Sequence, residues 1–128
     1  MIFASLKANH DSPARLIRRR QAHSPKCGLA TTFPVPRKID VLSLMSMSDA
    51  FFGRIFHVRN EMLPFGTVSL TTYFHADTDD LAAEDINRVL GVADARIFHK
   101  SYGDQTGELW SPNGRLLATT HQIAYFKA

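Results

Sequence analysis

Three polar side chains stand in apolar company and have the functional groups to move a proton or hold a small polar molecule. Asp49 lies four residues after Met45, three before Phe52 and seven before Phe56, so at helical spacing it shares their stripe. A carboxylate there is paired, hydrogen-bonded or shifted toward its protonated form. Gln122 sits in a period-two row with Leu116, Ala118, Thr120, Ala124 and Phe126. A buried amide needs partners for its oxygen and for both N–H donors. Thr67 follows Gly66 where an alternating stretch begins. It carries little signal alone. The signal is an Asp, a Thr and a Gln placed to converge from one helix and two strands. Each has a bland counterpart: Asp49 at the stripe's edge reaching water, Gln122 on a solvent face, Thr67 as an ordinary strand residue. The other face of the last strand (Leu117, Thr119, His121, Ile123, Tyr125) is also mixed, so alternation does not decide.

Several other chemistries are absent. There is no G-x-S-x-G elbow, no phosphate-binding Walker loop and no G-x-G-x-x-G. The six histidines show neither H-x-x-x-H nor H-E-x-x-H. Asp77, Asp79 and Asp80 lack the glycine and distal glutamate of a calcium loop and read as a solvated acidic turn. Cys27 is the one cysteine, which excludes an intrachain disulfide and a multi-cysteine zinc site. No cofactor or metal is expected.

The elements that must carry these residues are legible in outline. Asp40 is placed as an N-cap. Leu42, Met45, Phe52 and Phe56, widened by Val41, Leu44, Phe51 and Ile55, predict a largely buried helix ending near residues 56–60, before Pro64. The period then changes to two over residues 66–75, with Val68, Leu70, Thr72 and Phe74 on one face. Residues 77–85 form an acidic turn, with a short helical piece around residues 81–87. Strands follow over residues 89–100, 102–110 and 115–127. Ser111-Pro112-Asn113-Gly114 is the turn between the last two. Residues 28–34 read as a further short strand. The expected order is one helix, then four strands joined mainly as an antiparallel meander, a sheet wrapped around an apolar helix.

The 128 residues, 45% of them hydrophobic, suffice for one core and not for two. The net charge of +3 is uneven. Residues 1–38 carry eight bases and one acid, a net +7; residues 39–128 carry seven bases and eleven acids, a net −4. Residues 1–36, with Pro13, Pro25, Pro34 and Pro36, therefore read as a basic, poorly structured leader, and residues 37–128 as the domain. The leader is expected to be a solvated arm. Its Arg-rich, acid-poor start also fits an organelle transit peptide, and Arg18–Arg20 would fit CoA phosphates or nucleic acid. No stretch approaches the roughly 18 apolar residues of a membrane span.

Three stretches carry a resemblance. They are Leu44-Met45-Ser46-Met47-Ser48-Asp49; Gly66-Thr67-Val68-Ser69-Leu70-Thr71-Thr72-Tyr73-Phe74-His75; and Gly107 through Gln122, whose core is R-L-L-A-T-x-x-Q after an Asn-Gly turn. In this order and spacing the chain from Asp40 onward resembles the C-terminal half of the acyl-CoA thioesterase II (TesB-like) family. The resemblance implies an α+β single hotdog fold, a long central helix wrapped by an antiparallel sheet. It implies hydrolysis of acyl-CoA to fatty acid and CoA, with Asp49, Thr67 and Gln122 as the catalytic residues. Asp49 would accept the proton of an attacking water that Thr67 and Gln122 help to hold, with backbone N–H groups near the helix as oxyanion donors. The family's longer members carry two such halves, and residues 1–36 do not look like the other one. An exposed sheet edge then implies a homo-oligomer, a dimer or a dimer of dimers. The expected location is cytoplasmic, with acyl-CoA as substrate and neither membrane nor nucleic acid as partner. The alternatives are a non-catalytic acyl-CoA- or lipid-binding hotdog subunit and an adaptor for nucleic acid or an acidic partner through Arg18–Arg20.

Overall fold

A computed structural model describes residues 3–6, 27–32, 37–53, 56 and 62–127. Strands β1 (Phe3–Leu6) and β2 (Cys27–Thr32) come first, followed by helix α1 (Val41–Ser48), which tightens into a 3-10 turn over Asp49–Gly53. Strand β3 (Phe65–Phe74), helix α2 (Thr78–Glu84), and strands β4 (Arg88–Asp94), β5 (Phe98–His99), β6 (Tyr102–Trp110) and β7 (Leu116–Phe126) complete the chain. All strand pairs are antiparallel, in the order β1-β2-β4-β6-β7-β3, with β5 pairing β6 beside the end of β4.

Helix α1 starts at Asp40, whose carboxylate accepts the Ser43 backbone N–H at 2.7 Å and also the Ser43 hydroxyl. Its buried side chains are Ser43, Leu44, Met47 and Ser48, continued by Phe51 in the 3-10 turn. Of the expected stripe, Leu44 and Phe51 are buried, whereas Leu42 is 76% and Met45 50% exposed. Leucine and methionine lie on both sides of the helix, Leu44 and Met47 buried and Leu42 and Met45 exposed, so hydrophobicity alone does not choose its inner face. Small serines do, because their hydroxyls are satisfied locally: Ser43 by Asp40, and Ser48 by donating to the Met45 carbonyl at 2.7 Å. Regular α-helix also stops at Ser48, earlier than the spacing suggests. Phe56 is again helical and packs edge-on against Phe65, ring centroids 5.4 Å apart. The rest of the expected helix, at residues 54–55 and 57–60, lies outside the described residues.

The meander holds for β4, β6 and β7 but not for β3. After β3 the chain passes through α2, and β3 pairs with the last strand instead, leaving β3 at the sheet edge. The single strand expected over residues 89–100 is divided. Asp104 accepts the backbone N–H groups of Arg96 (2.9 Å) and Ile97 (2.7 Å) and holds the break between β4 and β5. Two stretches of the basic leader join the sheet: Cys27–Thr32 along β4, and Phe3–Leu6 along β2. The domain boundary expected at residue 36 therefore does not bound the sheet. The Arg18–Arg20 run lies outside the described residues. Cys27–Thr32 is apolar and β-branched enough to extend the edge at β4, whatever the charge on either side of it.

The acidic turn is a short helix with reciprocal caps: Asp77 accepts the Asp80 N–H and Asp80 accepts the Asp77 N–H. Arg115 bridges Asp80 at 2.5 Å and ties α2 to the hairpin between β6 and β7. That hairpin closes through Gly114 at φ +83°, a conformation that favours glycine.

Two half-buried carboxyls, Asp40 and Asp80, sit below the ordinary value of 3.8. The Ser43 hydroxyl and N–H, then Arg37, lower Asp40; Arg115, then the Asp77 N–H, lower Asp80. The native state thus releases these protons more readily than the unfolded chain. The stability they give is complete above the unfolded value and is lost as pH falls through the lowered folded values. Urea unfolding midpoints should be steady for these groups down to about pH 5 and fall below about pH 4. The Asp40→Asn/Asp80→Asn variant should show a smaller fall, and an identical fall would contradict the assignment.

Candidate active site

Strand β3 delivers Thr67 through an irregularity. Thr67 pairs with Ala124 and Ser69 with Ile123, so Val68 is an extra residue bulged out of the ladder. Counted back from Leu70, which pairs with Gln122, an unbroken strand would put Val68 inside and Thr67 outside. The bulge exchanges them, with Val68 58% exposed and Thr67 on the face that Gln122 occupies. A second bulge delivers Gln122. Trp110 pairs with Leu116 but Leu109 with Ala118, so Leu117 is the extra residue on β7. This offset sets Gln105 of β6 opposite Gln122 rather than opposite His121.

Asp49 comes from the opposite direction, at the start of the 3-10 turn. Two contacts fix the height of that turn above the sheet. The Thr72 hydroxyl donates to Ser48 Oγ at 2.9 Å. Gly107 leaves room for the Phe51 ring: a Cβ there would lie 2.6 Å from the ring and 2.7 Å from the Thr120 methyl. Any larger residue at 107 pushes Phe51, and with it Asp49, away from the strands.

The three residues singled out from sequence meet. Gln122 Nε2 donates to Asp49 Oδ1 at 2.7 Å and to Thr67 Oγ1 at 2.8 Å. Gln122 is 2% exposed, whereas Asp49 and Thr67 are exposed. A buried amide thus holds two surface oxygens with its two N–H bonds. Asp49 does reach water, as the bland reading had it, and is bonded to Gln122 at the same time. An ionised carboxylate only accepts, so the amide nitrogen must be the atom that faces it. The amide oxygen accepts from Gln105 Nε2 at 3.0 Å. Sequence reasoning missed Gln105. Its signal is the period-two row Gly103, Gln105, Gly107, Leu109, in which a single long polar residue stands among small and apolar ones, all buried. It missed the Ser48–Thr72 bond as well, since a serine after methionine carries no such signal.

Asp49 is exposed, so its carboxylate can accept from a water or substrate proton as well as from Gln122. Among the described residues no cluster of three His, Cys, Asp or Glu side chains has the arrangement of a metal site. A shallow depression lined by Val41, Phe74, His75, Asp77 and Asp80 lies at the start of α1, away from this cluster.

A family model, the acyl-CoA thioesterase C-terminal domain, matches residues 5–126. The chain belongs to that family. Among solved structures it is similar to a conserved hot dog fold protein of unknown function from Alicyclobacillus acidocaldarius, at 33% identity and TM-score 0.78, over 99% of this chain and 46% of that one. It is similar also to the acyl-CoA thioesterase II TesB2 from Mycobacterium marinum, at 14% identity and TM-score 0.67, over 98% and 48%. A tesB protein from Mycobacterium avium subs paratuberculosis matches at 17% identity and TM-score 0.63, over 80% and 42%. The fold is the hotdog fold. Comparison with curated proteins gives no match. The chain spans about half the length of these solved structures. The family model begins at residue 5, so part of the basic leader lies within the family's domain.

Gln122→Leu should destabilise the chain by about 1–3 kcal/mol, because it strands the buried Gln105 amide and removes three hydrogen bonds. Thr67→Val removes one of the three bonds and leaves the Gln105 amide paired, so it should cost less, about 1 kcal/mol. Urea denaturation of both variants measures the difference, and equal costs would mean that the Gln122 network is not buried as described.

Proposed function

We propose that this chain carries the hydrolytic site of an acyl-CoA thioesterase, formed by Asp49, Thr67 and Gln122. The observation that carries the reading is the Gln122 amide joined at once to Asp49 and to Thr67. Membership of a thioesterase domain family supports the reaction class.

In this reading Gln122 occupies Asp49 Oδ1 and so orients the carboxylate, with Oδ2 receiving a proton from water. As Asp49 takes that proton, the water oxygen attacks the thioester carbonyl. The tetrahedral intermediate collapses, the carbon–sulfur bond breaks, and CoA leaves as a thiolate that regains a proton from Asp49. The products are a free fatty acid and CoA. Thr67 Oγ1 accepts from Gln122, so its own O–H is free to point away from the amide and hold the water or the substrate. Backbone N–H groups near the 3-10 turn are the oxyanion donors in this scheme. No covalent nucleophile, metal or cofactor takes part.

Self-association belongs to the same proposal. β3 is an edge strand whose Val68, Tyr73 and Phe74 are exposed, and Leu42 and Met45 are exposed on the same helix as Ser48. An uncovered edge with apolar side chains calls for a second hotdog unit, supplied by another copy. Asp49 and Thr67 then stop facing bulk water, and the acyl chain gains a wall.

CoA release from a panel of acyl-CoAs, followed with a thiol reagent, tests the proposal. The wild-type assembly should release CoA, and Asp49→Asn should lower kcat about 10²- to 10⁴-fold, the usual worth of a positioned base. Saturable acyl-CoA binding with no release would favour the non-catalytic binding subunit. Unchanged release by Asp49→Asn would remove Asp49 from the chemistry.

A further inference from the structure

We infer that Gln105 is a positioning residue for this site: its side-chain N–H fixes which way round the Gln122 amide sits, and thereby which groups face Asp49 and Thr67. The inference rests on the proposed hydrolytic reading for its catalytic consequence, but not for its structural content.

An amide is nearly symmetric in shape, and its two orientations differ by exchange of oxygen and nitrogen. Only one suits the site. With Nε2 inward, Gln122 donates to both Asp49 and Thr67; turned over, it would set its oxygen against the Asp49 carboxylate, acceptor against acceptor. The choice set by the carboxylate is reinforced from the far side. Gln105 pairs directly with Gln122 across the β6–β7 ladder and donates to its oxygen at 3.0 Å. Both amides are buried, at 8% and 2% exposure, where an unpaired acceptor is expensive and solvent offers no substitute. Gln105 shares no hydrogen bond with Asp49 or Thr67, so it acts only through Gln122. The flanking Gly103 and Gly107 are pressed by the Phe98 and Phe51 rings, with a Cβ at either position falling 2.6 Å from the ring. Strand β6 is therefore held close at both sides of Gln105.

The Gln105→Glu substitution makes orientation depend on pH. When ionised, the introduced carboxylate presents only acceptors to the Gln122 oxygen and favours the turned amide. When protonated, its O–H donates as the Gln105 amide does. Burial raises the pKa of such a carboxyl, so the change falls above the ordinary glutamate range.

The experiment uses the full chain with Gln105→Met, which is close in size but donates nothing, and Gln105→Glu. The first readout is the Gln122 side-chain NH₂ pair in ¹⁵N-correlated spectra, assigned by its loss in Gln122→Leu. In Gln105→Met this pair should shift and exchange faster with solvent. In Gln105→Glu it should do so at high pH and return toward the wild-type position on acidification. The second readout is kcat on hexanoyl-CoA and palmitoyl-CoA. Gln105→Met should lose about 10- to 100-fold with KM little changed. Gln105→Glu should lose as much at high pH and regain activity as pH falls, a profile that simple loss of packing does not give. Wild-type-like Gln122 signals in either folded variant at high pH would overturn the inference. If one variant does not fold, the other decides. If the wild type releases no CoA, the catalytic reading fails while the spectra still decide the role of Gln105.

Discussion

The structure around the site depends on one buried amide. Gln122 sits on the inner face of β7 with no solvent to satisfy it, and a buried amide left incomplete costs about 1–3 kcal/mol for each unpaired group. Its three hydrogen bonds reach three other segments: the 3-10 turn through Asp49, β3 through Thr67 and β6 through Gln105. Each of these must arrive at the right height and face. The hydrogen-bonding demand of one residue thereby constrains helix placement and the register of both strands beside β7.

The devices that meet this demand are departures from regularity. Val68 bulges so that Thr67 turns inward, and Leu117 bulges so that Gln105 faces Gln122. α1 gives way to a 3-10 turn at Asp49. Gly107 and the Ser48–Thr72 bond set how closely that turn approaches. The sheet is regular where it only has to be stable, along β4 and the body of β6. It is irregular where it must aim a side chain, which is where bulges concentrate.

This division explains what the amino-acid sequence reveals and what it hides. Periodicity and turn chemistry are local, so the limits of β6, the Asn113-Gly114 hairpin and the Asp40 cap are legible. The suspicion falling on Asp49 and Gln122 is legible too, because a polar residue in an apolar row shows in composition. The inner face of α1 is hidden, since Leu42 and Leu44 are equally hydrophobic, yet Leu44 is buried together with Ser43 and Ser48 while Leu42 is exposed. Faces beyond a bulge are hidden, because one extra residue reverses the parity on which alternation relies. The pairing of β3 with β7 is hidden because it joins segments some fifty residues apart in the chain. Charge misleads in the boundary drawn at residue 36, whereas the short strand expected over residues 28–34 is present as Cys27–Thr32 and pairs with β4.

Asp49 and Gln122 act as one unit in the proposed chemistry. A double-mutant cycle on kcat, with Asp49→Asn, Gln122→Met and their combination in the assembled protein, measures this directly. If Gln122 works through the Asp49 carboxylate, the double variant should be no more than about threefold slower than Asp49→Asn alone, because the second change removes an interaction already lost. Losses that multiply in full would contradict it.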